Sequence, residues 1–428
     1  LPIRCIPLDG LEGMMPTEKV LLTWQHKTLK PGQSMVSLDA SSKPQHVYVL
    51  VSPEMTLWDF AALPEVLSDA YDYRVENNEY TQRLIDGWVL GCGDQLRLEL
   101  PDDYHHHLAM MNAHHLLRDW VNAPPNVMTS EHLADSIKAL ANQYHGLYSE
   151  WRGTDLADSF PLIHAVGRGS EFEPIMTQIK WSKPNAPKLV LIGKGVCFDS
   201  GGLDLKPSSA MKLMKKDMGG AAHAAALASW LVATGVELDI TLLIPCVENM
   251  VSSKSFRVSD VLKSRSGLTV EIGNTDAEGR LILADALSYS DCHHPDLLID
   301  FATLTGAARV ALGHDVPAYF TNDDHWAKVL ERAAETTVDP VWRMPLYVPY
   351  RDQLNSDVAD VHSTGSSGLG GAITAALFLE TFIPKNTSWM HFDVHAYHLK
   401  ARPGRPKGGA ANALRACYLM CQQLQDKD

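Results

Sequence analysis

The chain has 428 residues, of which 45% are hydrophobic and 21% are charged, and its formal net charge is -14. This length exceeds that of one ordinary domain and predicts two domains of unequal size. No stretch approaches the roughly 18 apolar residues of a membrane helix, so no membrane partner is expected. The acidic balance argues against sequence-independent binding of nucleic acid.

The start of the chain and its cysteines favour a cytoplasmic protein. Residues 1–5 are followed by Asp9, Glu12 and Glu18 and lack the apolar core of a secretory signal. The seven cysteines are scattered and form neither a disulfide framework nor a CxxC motif. A reducing compartment is therefore expected, in which most of the thiols are small core residues.

The first hundred residues mix predicted strands, helices and loops without a catalytic constellation. A strand is predicted over 46–51, and a helix is predicted over 80–88. The run His105–His107 is expected in a solvated loop. A helix over 108–121 should end before Pro124, because a residue that precedes proline is pushed out of the helical region. The predicted domains are 1–107 and 126–428, joined by a connector over 108–125.

From about residue 185, short apolar strands alternate with helices. Strands are predicted over 189–192, 240–244, 297–300 and 389–393, and helices over 219–234 and 372–382. This alternation predicts an α/β fold with two domains: a smaller N-terminal α/β domain, and a larger C-terminal α/β domain whose mostly parallel or mixed central sheet is covered by helices. Ligands of such sheets bind where strands end.

Two polar clusters follow the first of these strands. Residues 193–202 place Lys194 and Asp199 among glycines, a pattern that a tight turn with an exposed lysine explains equally well. The segment is neither a dinucleotide fingerprint nor a phosphate loop. The second cluster pairs Lys206 with Asp217, which precedes an alanine-rich helix; an acid there is most often a helix cap, and a lone lysine is usually solvated.

The third cluster is the string Asn-Thr-Asp-Ala-Glu-Gly-Arg-Leu at 274–281, which again leads into a helix. Asp276 and Glu278 can converge on one point only from an extended or turning backbone, since residues two apart face different sides of a helix. Helix capping with an ion pair is the alternative, but the eight-residue string is so specific that a functional role is preferred.

Together the clusters offer three aspartates, one glutamate and one lysine, without a cysteine ligand or a His-Glu-x-x-His zinc helix. Bridging carboxylates can hold two cations about 3.5–4 Å apart, where they activate water and neutralise a developing oxyanion. A lysine can join them only as a neutral amine, after burial and metal charge lower its pKa. Such a donor set suits Mn, Mg, Co or Zn.

In order and spacing, these clusters resemble the signature of the leucyl aminopeptidase family of dinuclear metallo-aminopeptidases, which includes peptidase B-like bacterial members. The hallmark string Asn-Thr-Asp-Ala-Glu-Gly-Arg is complete. The resemblance covers most of residues 115–395, whereas the first hundred residues are only loosely similar.

The resemblance implies an aminopeptidase that hydrolyses the first peptide bond of peptides with a free N-terminus, using a metal-bridging water at a two-metal site. Asp199 and Glu278 would bridge the two divalent cations. Lys194 and Asp217 would complete one metal site, and Asp276 would complete the other. Because relatives form hexamers, a homo-hexamer is expected.

The resemblance also implies roles around the metals. Lys206 would polarise the scissile carbonyl and stabilise the tetrahedral intermediate. Arg280 would hold a bicarbonate ion that assists proton transfer, with help from backbone groups near Gly279 and Leu281. The implied substrate-binding residues, three lining the side-chain pocket and one offering a backbone carbonyl, are Met214, Thr303, Gly306 and Leu304.

One region departs from the family pattern, because His395 stands where relatives carry a small residue. A preference for leucine is therefore not implied. His391 and His395 are not expected to bind a further metal, since on one strand they would lie about 13 Å apart. Two other functions stay open: a nucleic-acid-binding regulator that uses the basic segment 398–407, tested by salt-sensitive DNA binding, and another dinuclear hydrolase such as a phosphatase.

Overall fold

The computed structural model describes residues 1–7, 30–39, 41–93, 96–100 and 105–425. The chain forms two compact units, one of Leu1–Asn112 with Lys400–Lys407 and one of Ala113–Leu399 with Gly408–Asp428. The acidic residues Asp9, Glu12 and Glu18 lie outside the described ranges. The α/β fold predicted from the sequence is confirmed, with mixed sheets in both units.

The first unit has a sheet with the strand order β2-β3-β1-β4-β5. Its strands are β1 (Pro2–Pro7), β2 (Ser34–Leu38), β3 (Pro44–Val51), β4 (Tyr73–Val75) and β5 (Leu98–Glu99). Its helices are α1 (Leu57–Phe60), α2 (Leu63–Val66), α3 (Thr81–Gly91) and the first part of α4 (His105–Asn122). Strand β1 is parallel to β3 and β4, whereas β2 is antiparallel to β3, so this sheet is mixed.

The second unit has a central sheet with the order β15-β14-β17-β13-β8-β10-β7-β6, and β9 pairs with β10 beyond the end of β8. The strands of this sheet are β6 (Leu147–Trp151), β7 (Ile175–Trp181), β8 (Lys188–Gly193), β9 (Gly195–Asp199), β10 (Asp239–Asn249), β13 (Leu297–Ala302), β14 (Ala318–Thr321), β15 (Trp342–Arg343) and β17 (Trp389–Asp393). Smaller sheets contain β11 (Val261–Lys263), β12 (Thr269–Glu271), β16 (Val361–His362), β18 (Tyr397–His398) and β19 (Gly408–Gly409). The neighbours β17, β13, β8 and β10 are parallel, while β7 and β14 run antiparallel to the strands beside them.

Helices of this unit cover the sheet and connect its strands. They are α5 (Ser130–Gln143), α6 (Gly153–Ser159), α7 (Pro161–Gly167), α8 (Ser208–Met211), α9 (Gly219–Ala233), α10 (Glu278–Tyr289), α11 (Gly306–Leu312), α12 (Asp324–Thr337), α13 (Gly371–Glu380) and α14 (Leu414–Gln422), with 3-10 turns at Met214–Met218, Ser290–His293 and Val348–Leu354. Val190 and Ile192 of β8 join a buried core cluster with Leu281 of α10 and Leu377 of α13. These contacts fix the start of α10 above the end of β8.

Two glycines bring the start of α9 against the same strand ends. A Cβ on Gly193 would lie 2.5 Å from the Cα of Ala221, and a Cβ on Gly220 would collide with the carbonyl oxygen of Phe301. Because neither glycine has a side chain, α9 and the turn before it pack directly onto the ends of β8 and β13. The segments that carry the predicted site residues therefore meet at one edge of the sheet.

Two expectations about histidines are wrong. The run His105–His107 forms the first turn of α4 instead of a solvated loop, and the buried Nε2 of His107 lies 2.8 Å from Asp86 Oδ1. That partner comes from α3, which local sequence does not reveal. His395 does not share a strand with His391, because β17 ends at Asp393.

Among the helices of the described ranges, none combines the length and apolar character needed to cross a membrane.

Candidate metal centre

The five predicted metal ligands lie on three stretches of chain, 194–199, 214–218 and 276–278, that meet at this edge of the sheet. Lys194 lies between β8 and β9, and Asp199 is the last residue of β9. Asp217 belongs to the turn Met214–Met218, Asp276 lies in the loop before α10, and Glu278 is the first residue of that helix. The turning backbone at Ala277 lets Asp276 and Glu278 converge, as their spacing requires.

Lys194 is at the centre of one half of the cluster. Its Nζ lies 2.8 Å from Asp217 Oδ2 and 2.9 Å from Glu278 Oε1, and it donates a hydrogen bond of 3.1 Å to the carbonyl oxygen of Thr303. Only 3% of the Lys194 side chain is exposed. The exposed lysine of a simple turn is therefore not what the structure contains.

Lys206 lies in the other half. Its Nζ is 2.8 Å from Asp199 Oδ2 and also donates to Asp276 Oδ1. Asp199, Asp276 and Glu278 each offer a carboxylate oxygen, and these oxygens all lie within 4.8 Å of one another. Four carboxylates thus face two lysine amines in a site that is largely withdrawn from water.

The pKa values reflect this excess of negative charge. Burial, followed by repulsion from Asp199, raises the pKa of Glu278 to about 7. Burial and repulsion from Asp217 raise the pKa of Asp199 to about 6. Burial also opposes the charge on Lys194, but its carboxylate neighbours outweigh that effect and raise the pKa of its amine. The cluster would be relieved by additional positive charge.

The hydrogen bonding of the cluster fits divalent cations. Asp217 Oδ2 and Glu278 Oε1 are buried, and both face the single amine of Lys194, at 2.8 and 2.9 Å. Buried carboxylates that share so few positive groups are costly unless further cations compensate their charge. Carboxylates with one amine form a donor set that Mn, Zn, Mg and Co accept.

Arg280, the third residue of α10, forms a separate polar site. Its Nη1 donates to the carbonyl oxygen of Ser363 at 2.7 Å, whereas its buried Nε has no hydrogen-bond partner among the residues that the structure describes. Burial lowers the pKa of Arg280 to about 10, although Glu278 and Asp393 act in the opposite direction. A small anion such as bicarbonate fits this unused donor. The neighbouring Gly279 has no side chain, and a Cβ there would lie 2.7 Å from Lys194 Nζ.

Asn249, to which the sequence analysis gave no role, supports the cluster. Its Nδ2 donates to Asp199 Oδ1 at 2.9 Å and to the carbonyl oxygen of Thr275 at 3.0 Å, so it joins the first and third sequence clusters. The sequence signal that could have identified Asn249 is its position as a polar residue at the end of the buried strand β10. Asp393 acts similarly, since it accepts hydrogen bonds from the backbone of Leu304 and Thr305.

The predicted substrate-binding residues lie beside the cluster, in the turn that carries Asp217 and in the segment that follows β13. Met214 is buried in the turn that carries Asp217, and Thr303 Oγ1 donates to Asp217 Oδ1 at 2.8 Å. Leu304 and Gly306 continue from Thr303 along the chain, and Gly306 begins α11. Thr303 therefore contacts the carboxylate cluster directly, through Asp217, whereas Gly306 is exposed.

Comparisons with known proteins identify the family of this chain. The model of the cytosol aminopeptidase family, catalytic domain, matches residues 115–418. A probable cytosol aminopeptidase of Chlamydia abortus is 42% identical over 321 residues, and one of Chlamydia muridarum is 44% identical over the same length; each alignment covers 73% of this chain. The chain spans 64% of the length of these relatives.

Solved structures match nearly the whole chain. The crystal structure of a cytosol aminopeptidase from Coxiella burnetii superposes with a TM-score of 0.91 at 39% identity, covering 99% of this chain and 97% of that one. The Mn complex of the bottromycin maturation enzyme BotP superposes with a TM-score of 0.89 at 31% identity, covering 99% of both chains. By sequence and by structure, this chain belongs to the cytosol aminopeptidase family.

Proposed function

We propose that this protein is a metal-dependent aminopeptidase that removes the N-terminal residue from peptides with a free amine. The observation that carries the proposal is the convergence of four carboxylates on two lysine amines, those of the buried Lys194 and of Lys206. Relatives of 42–44% identity named as cytosol aminopeptidases support the same reaction.

Two divalent cations would be held by the five predicted ligands, with Asp199 and Glu278 between them. Lys194 and Asp217 would complete one position, and Asp276 would complete the other. When bound, the cations would activate water and neutralise the charge that develops on the scissile carbonyl oxygen. The structurally similar enzyme BotP was solved in complex with Mn, which supports Mn as one of the cations. Zn, Mg and Co suit the same donors.

Lys194 contributes to this site only after it loses a proton. Its carboxylate neighbours raise the pKa of the free amine, so the ammonium form predominates before cations bind. A lysine ligates as the neutral amine, because the ammonium has no lone pair. Cation uptake must therefore release the proton from Nζ, which makes the affinity for cations increase with pH.

Lys206 is positioned to act on the substrate. Its amine contacts Asp199 and Asp276 at the more open side of the cluster, where 12% of the lysine side chain is exposed. As an ammonium it would donate a hydrogen bond to the scissile carbonyl oxygen and stabilise the oxyanion, a contribution that is large in a water-excluded site.

Arg280 would act through an anion. A guanidinium carries no lone pair that accepts a proton, so it cannot serve as the general base. The unused Nε of Arg280, with backbone groups near Gly279 and Leu281, would hold bicarbonate, and the bicarbonate oxygen would assist proton transfer. Met214, Thr303 and Gly306 would line the pocket for the N-terminal side chain, and the Leu304 carbonyl would accept a hydrogen bond from the substrate.

We also propose, from the resemblance to the family, that the working form is a cytoplasmic homo-hexamer. Light scattering of the purified chain at assay concentration should give the mass of six copies, and a stable monomer would contradict that part of the proposal.

The proposal is tested with metal-stripped protein that is reloaded with one cation at a time. Leucine amide should be hydrolysed with Mn or Zn, and acetyl-leucine amide should not, because its amine is blocked. Glu278→Gln and Lys206→Ala should each lower turnover by roughly a hundredfold or more. The matched controls are Glu335→Gln and Lys328→Ala, both on the exposed side of α12. Full turnover in the two site variants would refute the mechanism.

A further inference from the structure

Four basic side chains from different segments meet beside the predicted pocket for the N-terminal residue. They are Lys216 from the turn before α9, Arg309 from α11, His314 after that helix and His395 after β17. The rings of His314 and His395 have centroids 4.4 Å apart. Burial, and then the positive charges of Lys216, His314 and Arg309, lower the pKa of His395 to about 2.

This basic cluster borders residues of the pocket. A guanidinium nitrogen of Arg309 lies 3.6 Å from the position that a Cβ on Gly306 would take. Lys216 is the direct neighbour of Asp217 and lies two residues after Met214. Ala396, next to His395, lies so close to Gly219 that a Cβ there would collide with it and would come within 3.1 Å of Thr303. His395 therefore lies next to the contact between the start of α9 and Thr303.

The polar groups of the cluster have unused hydrogen-bonding capacity. His395 is only 5% exposed, yet within the described ranges neither of its ring nitrogens has a hydrogen-bond partner. Lys216 is 3% exposed. In the part of the chain that the structure describes, no carboxylate forms an ion pair with Lys216 or Arg309.

The acids nearest to the cluster are engaged elsewhere. Asp217 and Asp393 both act on Lys216 electrostatically. However, Asp217 faces Lys194 and accepts from Thr303, and Asp393 accepts from the backbone of Leu304 and from Thr305. Asp315 lies 3.9 Å from His398 and is 45% exposed. Buried donors without acceptors cost free energy, and a ligand carboxylate would remove that cost.

We propose that the pocket selects substrates whose N-terminal residue carries a side-chain carboxylate, held by Arg309 and His395 with Lys216 close by. The inference rests on the proposed aminopeptidase function and specifies its substrate class. An arginine guanidinium stays protonated and can grip a carboxylate with two parallel hydrogen bonds, while a neutral imidazole supplies one further donor. A leucine side chain would leave all these donors unpaired.

The test compares Mn-loaded protein on nitroanilides of glutamate, glutamine and leucine. The glutamate and glutamine side chains have nearly the same shape, so the ratio of kcat/KM for the two substrates reports the effect of the charge. The kcat/KM for the glutamate substrate should exceed that for glutamine by roughly tenfold or more, as expected when a site is built to pair a substrate charge.

Variants assign the preference to the cluster. Arg309→Met and His395→Ala should each lower the glutamate-to-glutamine ratio by roughly tenfold, with a smaller change for the leucine substrate. Arg332→Met, on the exposed face of α12, removes a similar charge at a distance and should leave the ratio unchanged.

The outcomes separate this inference from the proposed function. Efficient turnover of leucine with equal rates for glutamate and glutamine would overturn the carboxylate preference and leave the aminopeptidase intact. A strong glutamate preference that persists in both site variants would also overturn it. Absence of turnover for all three substrates with every metal would refute the function itself. If a variant does not fold, the ratio measured on the unaltered protein still decides.

Discussion

Replacing Glu278 with glutamine should make the metal-stripped protein more stable while removing its response to metal. Glu278 is fully buried among Asp199 and Asp217, and burial with that repulsion raises its pKa to about 7. An acid whose folded pKa lies above its unfolded value favours folding only while it is protonated. That contribution is complete below pH 4.5 and is lost as the pH rises through about 7.

The size of the effect follows from the pKa. A change from 4.5 to about 7 corresponds to about 3 kcal/mol at pH 8. This is an upper value, because Asp199 and Asp217 titrate together with Glu278 and because the ion pair of 2.9 Å with Lys194 is lost in the variant. We therefore expect Glu278→Gln to raise the free energy of unfolding by about 1–3 kcal/mol at pH 8 and by little at pH 5.

Thermal unfolding with and without Mn measures both parts of the prediction. At a hundred times its dissociation constant, Mn should stabilise the unaltered protein by about 3 kcal/mol, and it should stabilise Glu278→Gln far less. Glu335→Gln on α12 is the control and should behave like the unaltered protein. If the stripped Glu278→Gln variant unfolded at a lower temperature than the unaltered protein at pH 8, the charge of Glu278 would not destabilise the stripped fold. An undiminished response to Mn would show that Glu278 does not bind the cation.

Three other residues, Gly279, Arg280 and His223, have contacts whose loss should have a measurable effect. Gly279→Ala would place a Cβ 2.7 Å from Lys194 Nζ and should displace the amine from the cluster. Titration calorimetry should then show an affinity for cations that is lowered by roughly tenfold or more. An unchanged affinity would contradict the close packing of Gly279 against Lys194. Arg280→Met should lower kcat and abolish the stimulation by bicarbonate in carbonate-depleted buffer, and retained stimulation would place the anion elsewhere. Buried His223 accepts a hydrogen bond from the backbone N–H of Asn412 at 3.0 Å, and burial lowers the pKa of its imidazole to about 4. The free energy of unfolding should therefore be highest above pH 6.5, where the imidazole is neutral, and should fall by up to about 3 kcal/mol as the pH is lowered to 4. In urea unfolding, His223→Gln should lose less free energy of unfolding over that pH range, and an equal loss would show that His223 is not the responsible group.

Much of the fold was predictable because the strands of the second unit carry apolar runs with clear limits. The strand expected over 389–393 has those bounds in the structure, and the helix expected over 219–234 extends over Gly219–Ala233. Buried parallel strands are apolar on both faces, so their pattern does not depend on distant partners. The pairing order of the sheet had no such local signal, because it is decided by long-range packing.

The candidate site was predictable only as far as its residues stand in recognisable strings. Lys194, Asp199 and Glu278 were identified from such strings, but the sequence did not reveal that Asn249 joins two of the clusters. Side chains that meet from different segments leave no periodic pattern. For the same reason the burial of His107 against Asp86 was missed.

An anomalous difference map from crystals soaked in Mn would show whether the carboxylate cluster binds two cations. Two peaks are expected for each chain, both within coordination distance of Asp199 and Glu278, with Lys194 and Asp217 at one peak and Asp276 at the other. No peak within this cluster, or peaks that involve none of these carboxylates, would contradict this expectation.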